Sequence, residues 1–265
     1  MATKYSLEDL WDTAPPGNLT FGPEPVSGLP DLVRAYLEHA ITPGTALASS
    51  IRLRMHGEIK LRRWYPFHAE EVIQWQHGMV WRATVRMFGL PVMGFDGLVG
   101  SEGAMRWKLL GIIPLVAASG PDVARSAAGR VNAESVWLPS VLCNETVSWS
   151  LRGPAEITAE FAAHGIETSL HLGVNKQGRL ETLAMKRWGN PDDTIYRDLD
   201  FGGLVEAEDT FDGYTIPTRI RIGWHFGSDR FESEGEFFRA TVDSARFRGK
   251  PEIPRIRGSV TLLAC

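Results

Sequence analysis

The stretch Ile51-Arg-Leu-Arg-Met-His-Gly-Glu-Ile-Lys-Leu-Arg62 alternates apolar with charged residues. Ile51, Leu53 and Met55 fall on one side of an extended chain, Arg52 and Arg54 on the other. That is the pattern of an antiparallel strand with one face in a core and one in water. His56-Gly57 reads as a turn, after which Ile59 and Leu61 alternate with Glu58, Lys60 and Arg62. The same alternation returns at Trp81-Ala83-Val85-Met87, Met105-Trp107-Leu109, Val147-Trp149-Leu151 and Leu170-Leu172-Val174. The strands number roughly a dozen, too many for a flat sheet, so the sheet is expected to curl into a half-barrel or open barrel.

Near the end of the chain, Ile220, Ile222, Trp224 and Phe226 share one parity, with Arg219 and Arg221 on the other. Gly227-Ser228 suits a two-residue hairpin turn that wants glycine first. That register pairs Trp224 with Phe231, Arg221 with Glu234 and Arg219 with Glu236, apolar pairs on one face and opposite charges on the other.

Two segments carry helical spacing instead. Leu29, Leu32, Val33, Tyr36, Leu37 and Ala40 share one face, with Pro30 early in the helix and Pro43-Gly44 ending it. Val123, Ala124, Ala127, Ala128 and Val131 predict a second helix from Asp122 to Val136, with Arg130 and Glu134 one turn apart. Residues 1–28, rich in Pro and Gly from Ala14 onward, read as an extended arm laid on the body by Trp11, Leu19 and Phe21. Residues 29–247 read as a single β domain with an apolar cavity, its sheet beginning near Ala46, and residues 248–265 as a C-terminal tail. The expected class is mainly β: a large curved antiparallel sheet with two main helices packed as a lid.

Composition narrows the function. The chain has 265 residues, 43% hydrophobic and 23% charged, with a net charge of −4. Basic residues are interleaved with acids, so no stripe suits a nucleic acid. The longest apolar run, Leu109 to Ala118, is broken by Gly111 and Pro114 and is too short to span a membrane. The N-terminus lacks an apolar secretory signal, and the two cysteines, Cys143 and Cys265, form no disulfide framework, so a cytoplasmic location is expected. The seven histidines show no metal-binding spacing; His68 is the best single candidate. No nucleophile elbow or phosphate loop occurs, and no metal or cofactor is expected.

The segment Arg130-Val-Asn-Ala-Glu134-Ser-Val-Trp137-Leu-Pro139-Ser-Val-Leu142, followed by Val147-Ser-Trp149, resembles an RxLxExxWxPxxL element of an uncharacterised bacterial family. Leu29-Pro-Asp-Leu-Val-Arg-Ala-Tyr-Leu37, Gly94-Phe-Asp96, Lys186-Arg187-Trp188 and Gly213-Tyr-Thr-Ile-Pro217 with Gly223-Trp224 resemble further elements in the same order. The chain departs in having Asn132 where the family often has Leu. The resemblance implies a fold similar to the LolA/LolB-like superfamily, a curved sheet closed on one side by helices around an apolar cavity. It implies no chemistry.

The candidate ligand wall is aromatic: Trp81, Trp107, Trp149 and Trp224 by strand parity, Trp137 and Trp188 at element ends, and Phe226. Either these rings fill a solid core or they line a binding site. A buried indole N–H also needs an acceptor, which a ligand can supply. Glu134 and Arg187, which could pair, and Asp96 are the candidate polar groups, with Glu134 as an acid raised by its apolar setting and Arg187 orienting it or holding an anionic group. Two functions fit: binding of a hydrophobic small molecule, or cofactor-free catalysis of the cyclase, isomerase or hydratase kind on an apolar metabolite, natural products included. The expected partner is that small molecule, and the expected state is a monomer or homodimer.

Overall fold

Strand β1 (Ser50–Lys60) sits in the middle of the molecule, with Ile51, Leu53 and Met55 buried as their parity requires. The computed structural model describes residues 5–192 and 194–249. The expected tail therefore lies outside the described residues from 250 onward. Five more strands follow β1 as a meander: β2 (Trp64–Gln74), β3 (Gly78–Met87), β4 (Leu90–Val99), β5 (Glu102–Leu109) and β6 (Ile113–Ser119). A second meander runs through β7 (Ser148–Gly153), β8 (Glu156–Ala163), β9 (Ile166–Val174), β10 (Leu180–Gly189), β11 (Arg197–Phe211), β12 (Tyr214–Trp224) and β13 (Glu236–Phe247). The first and last strands join the two, Ile51 opposite Phe247, giving one open antiparallel sheet of order β6-β5-β4-β3-β2-β1-β13-β12-β11-β10-β9-β8-β7.

The helices are α1 (Leu7–Asp12), α2 (Asp31–Ala40) and α3 (Pro121–Ala133). Helix α3 carries the chain from one sheet edge to the other and packs on β3, β4, β5, β9 and β10. Strands β5 and β10 are eight places apart in the sheet. At about 4.8 Å per strand, a flat sheet would hold them roughly 38 Å apart. One helix reaches both because the sheet curls into a half-barrel and α3 closes its concave side. Val33 and Leu37 of α2, Val131 of α3 and the inward strand residues form one apolar cluster.

Three expectations need correction. His56-Gly57 is no turn: β1 passes straight through it, pairing Gly57 with Phe67 and Ala240. The glycine is there for closeness, since a Cβ would lie 1.9 Å from the Arg239 carbonyl oxygen. The arm is not extended throughout. Leu7, Leu10 and Trp11 make α1 apolar on one side, the Ser6 hydroxyl caps Asp9 N–H, and the helix packs outside the sheet on Val72 and Val80. Phe21 is buried as expected, whereas Leu19 is exposed.

The third concerns the C-terminal hairpin. Strand β12 ends at Trp224, before Phe226, and β13 begins at Glu236, after a π-helical turn over Phe231–Gly235. The register sets Gly223 opposite Glu236 and Arg219 opposite Thr241. Glu236 decides it: its buried carboxylate accepts from Arg221 at 2.9 and 2.8 Å and from Arg239 at 2.6 and 3.2 Å. The short turn would have paired Arg221 with the exposed Glu234 and forgone this cluster.

Candidate functional site

Helix α3 crosses the concave face with Arg130 and Glu134 one turn apart, so both reach the sheet. Arg130 Nε donates to Glu134 Oε1 at 2.6 Å, and Nη2 donates to Glu71 Oε1 at 2.8 Å. Asp96 Oδ2 lies 3.8 Å from Arg130 Nη1, and Asp96 Oδ1 accepts from the Trp107 indole at 2.9 Å. The guanidinium also lies 5.2 Å from the Trp81 ring centre. Three carboxyl groups thus converge on one arginine at the cavity wall.

Burial pushes Glu71 well above the usual carboxylate range; the nearby Glu134 charge adds to this and Arg130 opposes it. Glu134 is raised by burial against the pull of Arg130, and Asp96 likewise. The Glu71 and Glu134 carboxyls are close enough to perturb one another, both being held by Arg130. As carboxylates neither can donate, and Oε2 of each meets no donor among the described residues. One proton shared between them, as between two like charges forced together, would meet both conditions. Burial disfavours charge on Arg130 too, but Glu134, Glu71 and Asp96 together hold it protonated.

Arg187 stands apart from this cluster. The expected Glu134–Arg187 pair does not form, because Arg130 is nearer in the helix and takes the carboxylate. Arg187 Nε donates to the Ser126 carbonyl at 3.2 Å and Nη2 to its hydroxyl at 3.5 Å. Its guanidinium lies over the rings of Phe201 and Trp224, at 4.6 and 5.1 Å. Gly129 lets the helix approach, since a Cβ there would sit 3.0 Å from Arg187 Cγ. Burial, then repulsion from Arg130, lowers its pKa to about 10, so it keeps its charge at neutral pH.

Between α3 and the sheet lies a cavity of about 350 Å³. Trp81, Trp137, Trp224, Phe201 and Phe238 give it aromatic walls, and Asp96, Arg130, Glu134 and Arg187 are its charged ones. Trp137 donates its N–H to the Pro217 carbonyl at 2.9 Å, while the Trp81 N–H has no acceptor among the described residues. A larger hollow of about 1570 Å³ lies elsewhere, its lining including Arg54, Arg82, Arg106 and Lys108. That lining includes none of Glu71, Glu134 or Arg187.

Other expected residues are dispersed. Trp107 stands behind Trp81, ring centres 5.7 Å apart. Trp149 packs on Tyr36 of α2, and Phe226 on Phe231 beyond the end of β12. Trp188 has the opposite strand parity to Arg187; its N–H bonds Asp122 and Arg125 covers its ring. His68 faces His56 across β1 and β2. Among the described residues no group of three or more His, Cys, Asp or Glu is placed to hold a metal. Glu71 was the residue the motifs missed. Its signal was parity: it shares the inward side of β2 with Phe67 and Ile73, opposite Leu53 and Trp81.

The chain belongs to DUF6920, a family of unknown function whose model matches residues 27–247. No curated protein matches it. Among solved structures it is similar to a LolA superfamily protein from Nitrosomonas europaea, at 10% identity and a TM-score of 0.44, covering 83% of this chain and 93% of that one. It is also similar to a putative outer membrane lipoprotein-sorting protein domain from Vibrio parahaemolyticus, at 8% identity and a TM-score of 0.41, covering 77% and 88%.

Proposed function

We propose that the chain binds a hydrophobic small molecule between α3 and the sheet, with the ligand's one polar or acidic group at Arg187. The observation that carries this reading is the cavity itself. At about 350 Å³ it falls within the size of small-molecule sites, apolar with a few converging polar groups. Arg187 is its uncommitted cation, having no carboxylate within 4 Å among the described residues. The unused N–H of Trp81, which lines the same cavity, is a second donor. Arg130, by contrast, gives Nε and Nη2 to protein carboxylates and has a third carboxylate at 3.8 Å.

Tryptophan fluorescence tests the reading with a long-chain carboxylic acid and its uncharged methyl ester. Both should quench, the acid more tightly. Arg187→Met should bring the acid's affinity down by about ten- to a hundredfold, to that of the ester, since a charge-assisted hydrogen bond contributes about 1.5–3 kcal/mol. Absence of quenching by either compound would mean a solid core and end the proposal.

The upward-shifted carboxyls of Glu71 and Glu134 beside Arg130 favour a second reading. A carboxyl whose pKa burial raises can serve as a general acid against an apolar cavity, and a pocket that folds a flexible substrate near its reactive shape needs little else. On this reading Glu134, which lines the cavity, passes a proton to a bound alkene or carbonyl. Turnover of a bound compound that stops in Glu134→Gln would support it. Unchanged ligand recovered after prolonged incubation leaves binding as the function.

A further inference from the structure

A different feature sits at one end of the sheet. In an antiparallel meander the β1–β2, β3–β4 and β5–β6 turns emerge together. Leu110 N–H donates to the Pro91 carbonyl at 2.8 Å, so the last two touch. Their tips reverse ordinary surface chemistry. Phe88 is 77% exposed, Ile112 73% and Leu61 59%. Of the twelve large apolar side chains exposed among the described residues, nine lie on these three hairpins, leaving only Leu19, Leu151 and Ile195 elsewhere.

Local backbone preference does not explain those side chains. Four turns carry an X-Gly pair with positive φ at both residues: Phe88-Gly89, Leu110-Gly111, His164-Gly165 and Asp212-Gly213. Such a turn favours Asn or Asp first, whose short polar side chains tolerate the left-handed region. Asp212 obeys the rule. Phe88 at φ 50° and Leu110 at φ 54° break it on adjacent hairpins, each placing a large apolar group in water.

Charge completes the pattern. Residues 60–67, 84–95 and 105–119 hold Lys60, Arg62, Arg63, Arg86, Arg106 and Lys108 and not one Asp or Glu, in a chain of net charge −4. Arg62, Arg63, Arg86 and Lys108 are exposed and form no ion pair among the described residues. Apolar fingertips ringed by cations match an interface where acyl chains lie beneath acidic headgroups. A second copy of the chain fits worse, because a two-fold contact through this rim would set these cations against themselves.

We propose that these three hairpin tips dock the protein on the surface of a bilayer containing anionic lipid. The docking is peripheral: among the described residues no helix is long and apolar enough to cross a membrane.

Flotation of the full chain with vesicles of phosphatidylcholine, with and without a quarter of phosphatidylglycerol, tests this. The chain should float with the anionic vesicles at least about tenfold more than with the neutral ones, and high salt should release it. Phe88→Asn combined with Ile112→Asn should cut recruitment by about tenfold or more, since two buried apolar side chains are lost. Its circular dichroism should stay unchanged and its melting point should fall only slightly: both positions face solvent and Asn suits the Phe88 turn, while the edge of Phe88 against Tyr65 is lost. Equal flotation of this variant, or no flotation with anionic vesicles, would overturn the proposal. So would a dimer in sedimentation velocity that the same variant converts to monomer, which would assign the rim to a second copy.

Discussion

Replacing Trp137 by Ala removes the ring that joins α3's continuation to the sheet. Trp137 ends the short 3-10 turn Glu134–Trp137, is 4% exposed, and gives its N–H to the Pro217 carbonyl on β12. Truncating a buried aromatic ring costs about 3–5 kcal/mol. Here the lower part of that range applies, because the ring borders the existing cavity, and its loss enlarges that space instead of opening a sealed void. The Pro217 carbonyl loses its donor, which adds about 1 kcal/mol. The sum, about 4–5 kcal/mol, corresponds to a fall in melting temperature of roughly 8–20 °C for a chain of this size. Urea unfolding followed by far-ultraviolet circular dichroism measures it without relying on tryptophan emission. Trp137→Phe separates the terms: it keeps most of the packing and loses the N–H, so it should cost about 1–2 kcal/mol. A Trp137→Ala loss under about 1 kcal/mol would refute the placement of the ring, and equal losses in the two variants would refute the weight given to packing.

The Glu71–Glu134 pair and Glu236 should shape the pH dependence of stability in opposite directions. Glu71 and Glu134 are raised above 4.5, so their contribution is complete below about pH 4.5 and is lost as the pH rises through their folded values. Glu71→Gln, which donates to Glu134 without a titrating proton, should flatten that alkaline decline; an unchanged slope in urea melts from pH 5 to 8 would count against proton sharing. Glu236 is held at about 2, first by Arg221 and then by Arg239, so its contribution is present above pH 4.5 and disappears as the pH falls towards 2. Glu236→Gln should cost about 2–3 kcal/mol at neutral pH and remove this acid-side loss; a wild-type acid limb would rule the cluster out as its source. Arg130→Met strands three carboxyl groups at the cavity wall and should cost about 3–5 kcal/mol at pH 8, less at pH 4, where the carboxyls can take up protons.

Strand parity carried most of the fold. Trp81 and Trp107 fell inward because a strand has only two faces, and one misplaced residue would expose the whole row. The helices were legible for a similar reason, each having one continuous apolar stripe. Where the reading failed, a local preference was set against a contact that sequence spacing does not reveal. Gly227-Ser228 has the form of a tight turn, yet Glu236 in the grip of Arg221 and Arg239 draws β13 into a different register. Gly57 looked like punctuation and proved to be clearance for the Arg239 backbone. The site was legible only in part. Glu134, Arg187 and Asp96 do surround one cavity, but the partner of Glu134 came from its own helix. Glu71 was hidden by attention to motifs, although a charged residue on the inward parity of β2 was visible throughout.

That inward charge also bears on what the cavity is for. A sheet built only to be stable would fill this position with an apolar residue, since replacing a buried ion cluster by well-packed hydrocarbon is often neutral or stabilising. Here Glu71, Asp96 and Glu134 surround Arg130, and Arg187 adds a second cation a short distance away, held by one serine and two aromatic rings. One proton shared by the two glutamates would balance the five groups as two positive and two negative charges. Balance makes the cluster tolerable without making it useful to the fold, because Arg187 satisfies only part of its donor capacity within the protein. Arg187 itself lines an aromatic-walled space of ligand size. The proposed ligand would use that capacity on entering the cavity, whereas the folding of the chain leaves it idle.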